Sequence, residues 1–173
     1  MNDLVKDFTW HGTEGYAVLA SDWLAWVNSR NEKEGYGPHN GYGFGKLTHY
    51  TWVVNNERVS APVDAEKNLH LLPDASGFIC IERPQLPNNC TLLDAFGKER
   101  MRLTVPWQLT TANNPASNAA PTSFWGISEP YVNPADGKRG QFGVKAWVEF
   151  GGEYYFELDY KSGQFLWGKE VRF

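Results

Sequence analysis

The sequence predicts a mainly β, α+β fold: an antiparallel meander curled into a curved sheet, half-barrel or sandwich, with one N-terminal helix packed on it. Three observations carry this. Short runs of β-branched and aromatic residues recur after Lys46, glycine- or aspartate-bearing turns separate them, and a single stretch has helical spacing. Strands and helices do not alternate, so a parallel sheet is not expected. At 173 residues the chain suits one domain, 1–173, and about 70% of its extended surface can be buried without disulfide or metal staples.

Ala20 to Ser29 is the helix. Ser21 or Asp22 would cap it, Trp23, Trp26 and Val27 fall at i, i+3, i+4, and Asn31 to Glu34 would fray into solvent. Gly35 to Gly45 holds five glycines and a proline, a composition that supports no regular element. Lys46 to Val54 reads as a strand, Leu69 to Leu72 as a brief one, and Phe78 to Glu82 as another, ended by Pro84 and Pro87. Leu92 to Ala95 and Glu99 to Val105 flank the turn Phe96-Gly97-Lys98, and Ala112 to Pro121 is a long surface loop. Phe142 to Phe150 and Glu153 to Tyr160 flank Gly151-Gly152, a two-residue hairpin signal. Lys161-Ser162-Gly163 then turns the chain into a final strand, Gln164 to Phe173. Asp74-Ala75-Ser76-Gly77, Asp94-Ala95-Phe96-Gly97 and Asp136-Gly137 share turn chemistry at unequal intervals, which argues against a repeat array.

Twenty acidic against 16 basic side chains leave a formal charge of -4. The excess sits in residues 1–90, with 11 acids and 7 bases. Such a chain does not attract phosphate backbones, so nucleic acid is not an expected partner. The mean hydropathy of -0.49 and the lack of a long apolar run predict no membrane span. Asp3, Lys6, Asp7, His11 and Glu14 interrupt any leader-like stretch, which points to the cytoplasm. Reduced thiols follow for Cys80 and Cys90, although neighbouring strands could bring the two together.

Motifs for chemistry are lacking. His11, His39, His49 and His70 stand apart, with no Cys-x-x-Cys or His-Glu-x-x-His spacing, so neither metal nor cofactor is expected. In the glycine-rich stretch Gly45-Lys46 is followed by Leu47, and Asn40 occupies the first glycine position of a P-loop. No Gly-x-Ser-x-Gly exists, and Cys80 within Phe78-Ile79-Cys80-Ile81 reads as a small core hydrophobe. No catalytic residue is assigned.

The informative constellation is the acidic strand. Alternation puts Tyr154, Phe156, Leu158 and Tyr160 on one side and Glu153, Tyr155, Glu157 and Asp159 on the other. In the preceding strand Phe142, Val144, Ala146, Val148 and Phe150 point inward, leaving Gly143, Lys145, Trp147 and Glu149 outward. Three readings compete: two carboxylates of a glycosidase about 5–9 Å apart, a plain solvated face, or a docking face whose aromatics anchor a partner.

Leu93 to Trp107 and Tyr155 to Trp167 resemble the immunity proteins encoded beside bacterial polymorphic toxins, including those of contact-dependent growth inhibition. The resemblance covers the C-terminal half. It implies a non-enzymatic cytoplasmic protein that binds and neutralises one cognate toxin domain, often a basic nuclease to which an acidic inhibitor is steered. These families share no common binding residues, so the partner face is read from the strands: Trp147, Glu149, Glu153, Tyr155, Glu157 and Asp159. Exposed aromatics fit a homodimer equally well. The alternative is a small-ligand-binding β-barrel, whose aromatics would line a cavity of about 300–1,000 Å³. If the acids steer association, reversing Glu157 and Asp159 should slow binding and flatten its salt dependence in stopped-flow measurements.

Overall fold

The computed structural model describes residues 3–34, 46–110, 122–148 and 152–171. Among them, twelve strands form three four-stranded antiparallel sheets. The first contains β1 (Lys6–Gly12), β2 (Ala17–Leu19), β3 (Leu47–Val54) and β4 (Glu57–Pro62), in the order β2-β1-β3-β4. The second is a meander of β5 (Lys67–Leu71), β6 (Gly77–Glu82), β7 (Cys90–Asp94) and β8 (Glu99–Leu103). The third is a meander of β9 (Ser123–Ser128), β10 (Gly143–Val148), β11 (Gly152–Asp159) and β12 (Gln164–Glu170). The sheets are open, so the predicted sandwich describes them and the barrel does not.

The second sheet is the middle layer, and its composition says why. Five of the six residues of β6 are buried. Phe78 joins Phe8, Tyr50, Trp52 and Val54 of the first sheet, whereas Ile79 and Ile81 join Val144, Phe156 and Leu158 of the third. Antiparallel strands ordinarily alternate because one face meets water. Phe78-Ile79-Cys80-Ile81 is apolar throughout because neither face does. The same geometry decides the cysteines. Ile81 pairs with Cys90 and Cys80 with Thr91, so the two sulfurs leave opposite faces of the sheet. Both thiols are free and buried, and burial pushes the Cys80 pKa up to about 11.

Specific polar contacts lock the layers in register. Asn89 is buried, and its side chain satisfies both backbone groups of Phe124: Nδ2 donates to the carbonyl at 2.8 Å and Oδ1 accepts the amide at 2.8 Å. Nδ2 also donates to the Glu82 carbonyl at 2.8 Å, so one amide joins the middle sheet to β9. On the other side, Trp52 Nε1 donates to the Ala95 carbonyl at 2.7 Å. Gly97, at φ +81, takes the left-handed corner of that turn beneath the Trp52 ring. Arg100 is the extra residue of a bulge in β8 and donates to the Tyr160 and Lys161 carbonyls of the third sheet.

Several elements differ from the sequence expectation. Ala20–Asp22 forms a 3₁₀ turn after Leu19 with no side-chain cap, and the helix proper, α1, spans Trp23–Glu34. It joins the rest through rings: Trp23 lies 5.2 Å from Trp10, and Trp26 stacks 5.5 Å from Trp23. β1 escapes period-two reading because Asp7, at φ 54, sits in a bulge between Lys6 and Thr9. β4 follows a two-residue turn, Asn55-Asn56, with φ of 50 and 65, a conformation asparagine tolerates better than most residues. β10 and β11 pair Trp147 with Glu153 and Val148 with Gly152. Their connection is therefore residues 149–151 rather than the pair Gly151-Gly152. Residues 35–45 and 111–121, including both expected loops, lie outside the described residues. The aspartate turns do share one device: Oδ1 of Asp74, Asp94 and Asp136 accepts the amide of Ser76, Phe96 and Lys138 respectively, each two residues on.

Two predictions follow from the layering. Asn89→Ala leaves the Phe124 amide and carbonyl unpaired in the interior, and should lower the unfolding free energy by about 3 kcal/mol in urea titrations. Burial also lowers the His70 pKa from 6.5, so the fold favours the neutral ring. As pH falls below about 6.5 the unfolded chain takes up that proton first, and stability drops as pH passes through the folded value. Thermal melts should show less of this acid loss in His70→Gln.

Candidate partner-binding face

Directly paired residues share a face of a sheet, so register lists what the outer side of the third sheet presents. One row is Ser123, Trp147 and Glu153; the next is Gly126, Lys145, Tyr155 and Lys169; the third is Ser128, Gly143, Glu157 and Trp167. The sequence therefore sorts the sides of β10 and β11 correctly. It does not say what covers them.

Residues 129–141 cross part of this face as a small flap. Val132 bridges to Arg139, the Asn133 amide donates to the Lys138 carbonyl at 2.8 Å, and the Gly140 amide donates to the Tyr131 carbonyl at 2.9 Å. Tyr131 stacks 4.8 Å from Tyr155, whose other ring neighbour, Trp167, lies 5.1 Å away. Beside them the Glu157 carboxylate accepts the Gln141 amide at 2.9 and 3.1 Å, the Phe142 amide at 3.1 Å and the Tyr155 hydroxyl at 3.0 Å. Burial drives the Tyr155 phenol well above its usual pKa. Glycine is required at two positions here. A Cβ on Gly140 would stand 1.7 Å from Glu157 Oε1, and one on Gly143 2.0 Å from the Tyr155 ring.

This geometry corrects the expected acidic, water-open face. Tyr155 is 0% exposed and Glu157 4% exposed, because the flap packs on the first and hydrogen-bonds the second. Asp159 closes the β11–β12 turn, accepting the Lys161 amide at 3.1 Å and the Ser162 hydroxyl at 2.9 Å, and the Ser162 bond holds its pKa below the ordinary value. Charge reversal at Glu157 is thus a folding lesion rather than a probe of association. Glu153 is half-buried, and Glu149 lies outside the described residues. Trp147 stays open, at 40% exposure.

A second tryptophan joins it. Trp125 is the extra residue of a bulge in β9, opposite Lys145 and Ala146, and is 44% exposed. The ammonium of Lys145 lies 4.8 Å from its ring centroid, within cation–π range. Period-two reading missed Trp125 because a bulge breaks the period; the adjacent Gly126 inside a strand was the available signal. Leu166 is the matching bulge residue of β12 and is 56% exposed. Bulges on both edge strands oppose further strand pairing.

Two larger hollows open on the surface of the described residues. One, about 580 Å³, lies between the flap and β12 and is lined by Arg139, Gln141, Tyr160 and Trp167. The other, about 450 Å³, lies between the first two sheets, where Arg102 pairs with Glu82 at 2.8 Å and Glu99 at 3.4 Å. Among the described residues no three His, Cys, Asp or Glu side chains are placed to hold a metal, and no helix is long and apolar enough to cross a membrane.

Neither a protein-family model nor a curated protein sequence matches this chain. Its fold is similar to that of one chain in the solved structure of Tne2 in complex with Tni2. The two align with a TM-score of 0.56 and 11% identity, over 98% of this chain and 100% of the other.

Glu157→Ala removes the acceptor of two backbone amides and a phenol, and should cost about 3 kcal/mol of stability. Hydrogen exchange of the Gln141 and Phe142 amides should accelerate. Gly143→Ala, which drives a methyl group into the Tyr155 ring, should loosen the same flap.

Proposed function

We propose that this chain is an immunity-type inhibitor: a non-enzymatic protein that binds a cognate toxin domain and neutralises it in the cytoplasm. The observation that carries this reading is the pair of half-exposed tryptophans on one sheet face, 44% for Trp125 and 40% for Trp147. Buried tryptophan is the most effective anchor of protein–protein contacts, and two on a rigid sheet cost little ordering when a partner arrives. The fold likeness adds support, since the similar chain was determined within a two-protein complex, Tne2 with Tni2.

Two of the acids expected to steer the partner have other roles in the fold. Glu157 is buried and Asp159 closes a turn, so the aromatic rings supply the affinity, as expected, with less steering from this face. Lys145 and Glu153 carry opposite charges beside Trp147 and set register more than strength. Steering of a basic partner, such as a nuclease domain, falls to the acid excess of residues 1–90, with 11 acids against 7 bases.

The test is co-expression with the C-terminal domain of the protein encoded immediately upstream. The expected result is a one-to-one complex and relief of growth arrest. Trp125→Ala and Trp147→Ala should each weaken binding at least about tenfold with melting temperature unchanged. A double variant that binds and protects like the parent would place the interface elsewhere. Loss of self-association in that variant, with no partner bound, would favour the homodimer.

A further inference from the structure

A second group of titratable side chains lies on the outer face of the first sheet. Register places Thr9, Thr51 and Ser60 in one row, His11 and His49 in the next, and Lys6, Val53 and Arg58 in a third. The two imidazoles stack at 4.2 Å with an interplanar angle of 11°. Each uses one nitrogen on a threonine hydroxyl: His11 Nε2 lies 2.7 Å from Thr51 Oγ1, and His49 Nδ1 2.9 Å from Thr48 Oγ1. Among the described residues the other nitrogen of each ring has no partner, and Arg58 makes neither an ion pair nor a hydrogen bond. Beside the stack a shallow hollow of about 200 Å³ is lined by Asp7, Thr9, Thr51 and Arg58. Asp7 stands there at φ 54, a left-handed bulge conformation that aspartate enters more readily than most residues.

We propose that this face binds an oxyanion, a carboxylate or phosphate group, which Arg58 holds and which the His11–His49 stack recruits when it protonates. The charge inventory supplies the gate. β1 contributes Lys6 and Asp7, β3 contributes His49 and β4 contributes Arg58; β2 contributes only Ala17 and Leu19. With neutral imidazoles Asp7 offsets one of the two cations, and the face attracts an anion weakly. Protonating a ring adds a donor and a full positive charge on the same sheet face as Arg58, whose charge already acts on His11. Burial, the neighbouring His49 and the Arg58 charge all lower the His11 pKa. An anion seated among these groups reverses the last two effects, so binding and proton uptake are linked. The site is separate from the tryptophan face and stands whether or not the inhibitor reading does.

Sulfate is the probe, because its charge is constant between pH 5 and 8. Imidazole resonances of the full chain are followed by NMR at fixed ionic strength. Sulfate should raise the His11 pKa, and its affinity should be about tenfold higher at pH 5.5 than at 7.5, the equivalent of one pKa unit. Arg58→Gln, an exposed substitution, should abolish the effect with melting temperature unchanged, and His49→Gln should flatten its pH dependence. Trp125→Ala with Trp147→Ala should leave it intact. A hexaglutamate peptide distinguishes the sources. Competition with sulfate supports a partner's carboxylates as the ligand, and sulfate binding without competition supports small oxyanions. Resonances that move no more in sulfate than in chloride, or an Arg58→Gln variant that titrates like the parent, would overturn the proposal.

Discussion

A sheet that is apolar on both sides cannot stand alone in water, and the architecture of this protein follows from that constraint. Phe78, Ile79, Cys80 and Ile81 are all buried, yet they point alternately in opposite directions. Each apolar side chain withdrawn from water contributes about 1.5–3 kcal/mol, so both neighbouring sheets are held against the middle one by the same driving force. That force is non-directional and does not choose a register. Asn89 and Trp52 do, because each satisfies backbone groups that would otherwise be buried without partners.

The outer sheets have one covered and one outer side, and the candidate sites lie on the outer ones. On the third sheet the flap covers Tyr155 and Glu157 and leaves Trp125 and Trp147 half open. Residues a few ångströms apart on one face thus divide between folding and contact. Glu157 shows why charge alone is a poor guide to surface. Four hydrogen bonds to its two oxygens replace the water it loses, and that full satisfaction lets a carboxylate sit at 4% exposure. On the first sheet the opposite holds. Arg58 is exposed and, among the described residues, the second ring nitrogen of His11 and of His49 has no protein partner, so these polar groups face outward rather than into packing.

Legibility in the sequence followed period. β10 and β11 keep strict alternation, so Val144, Ala146, Val148, Tyr154, Phe156 and Leu158 were assigned to the core and are buried there. β1 and β9 contain bulges at Asp7 and Trp125, and one extra residue sends the rest of the strand out of phase. β4, Glu57–Pro62, has only two half-buried residues, too few to register as a pattern. The stacked histidines are 38 positions apart in sequence, and no local motif links them; strand pairing alone brings them together.

By itself the sequence determined the antiparallel β class and which side chains of β10 and β11 share a face, since both depend on the fixed two-residue period of a strand. Tertiary structure decided which of those faces meets water. A strand specifies two sides but not what lies over them, and here the cover over Tyr155 and Glu157 comes from a segment whose own sequence, Pro130 to Gly140, carries turn signals and no statement of where it docks.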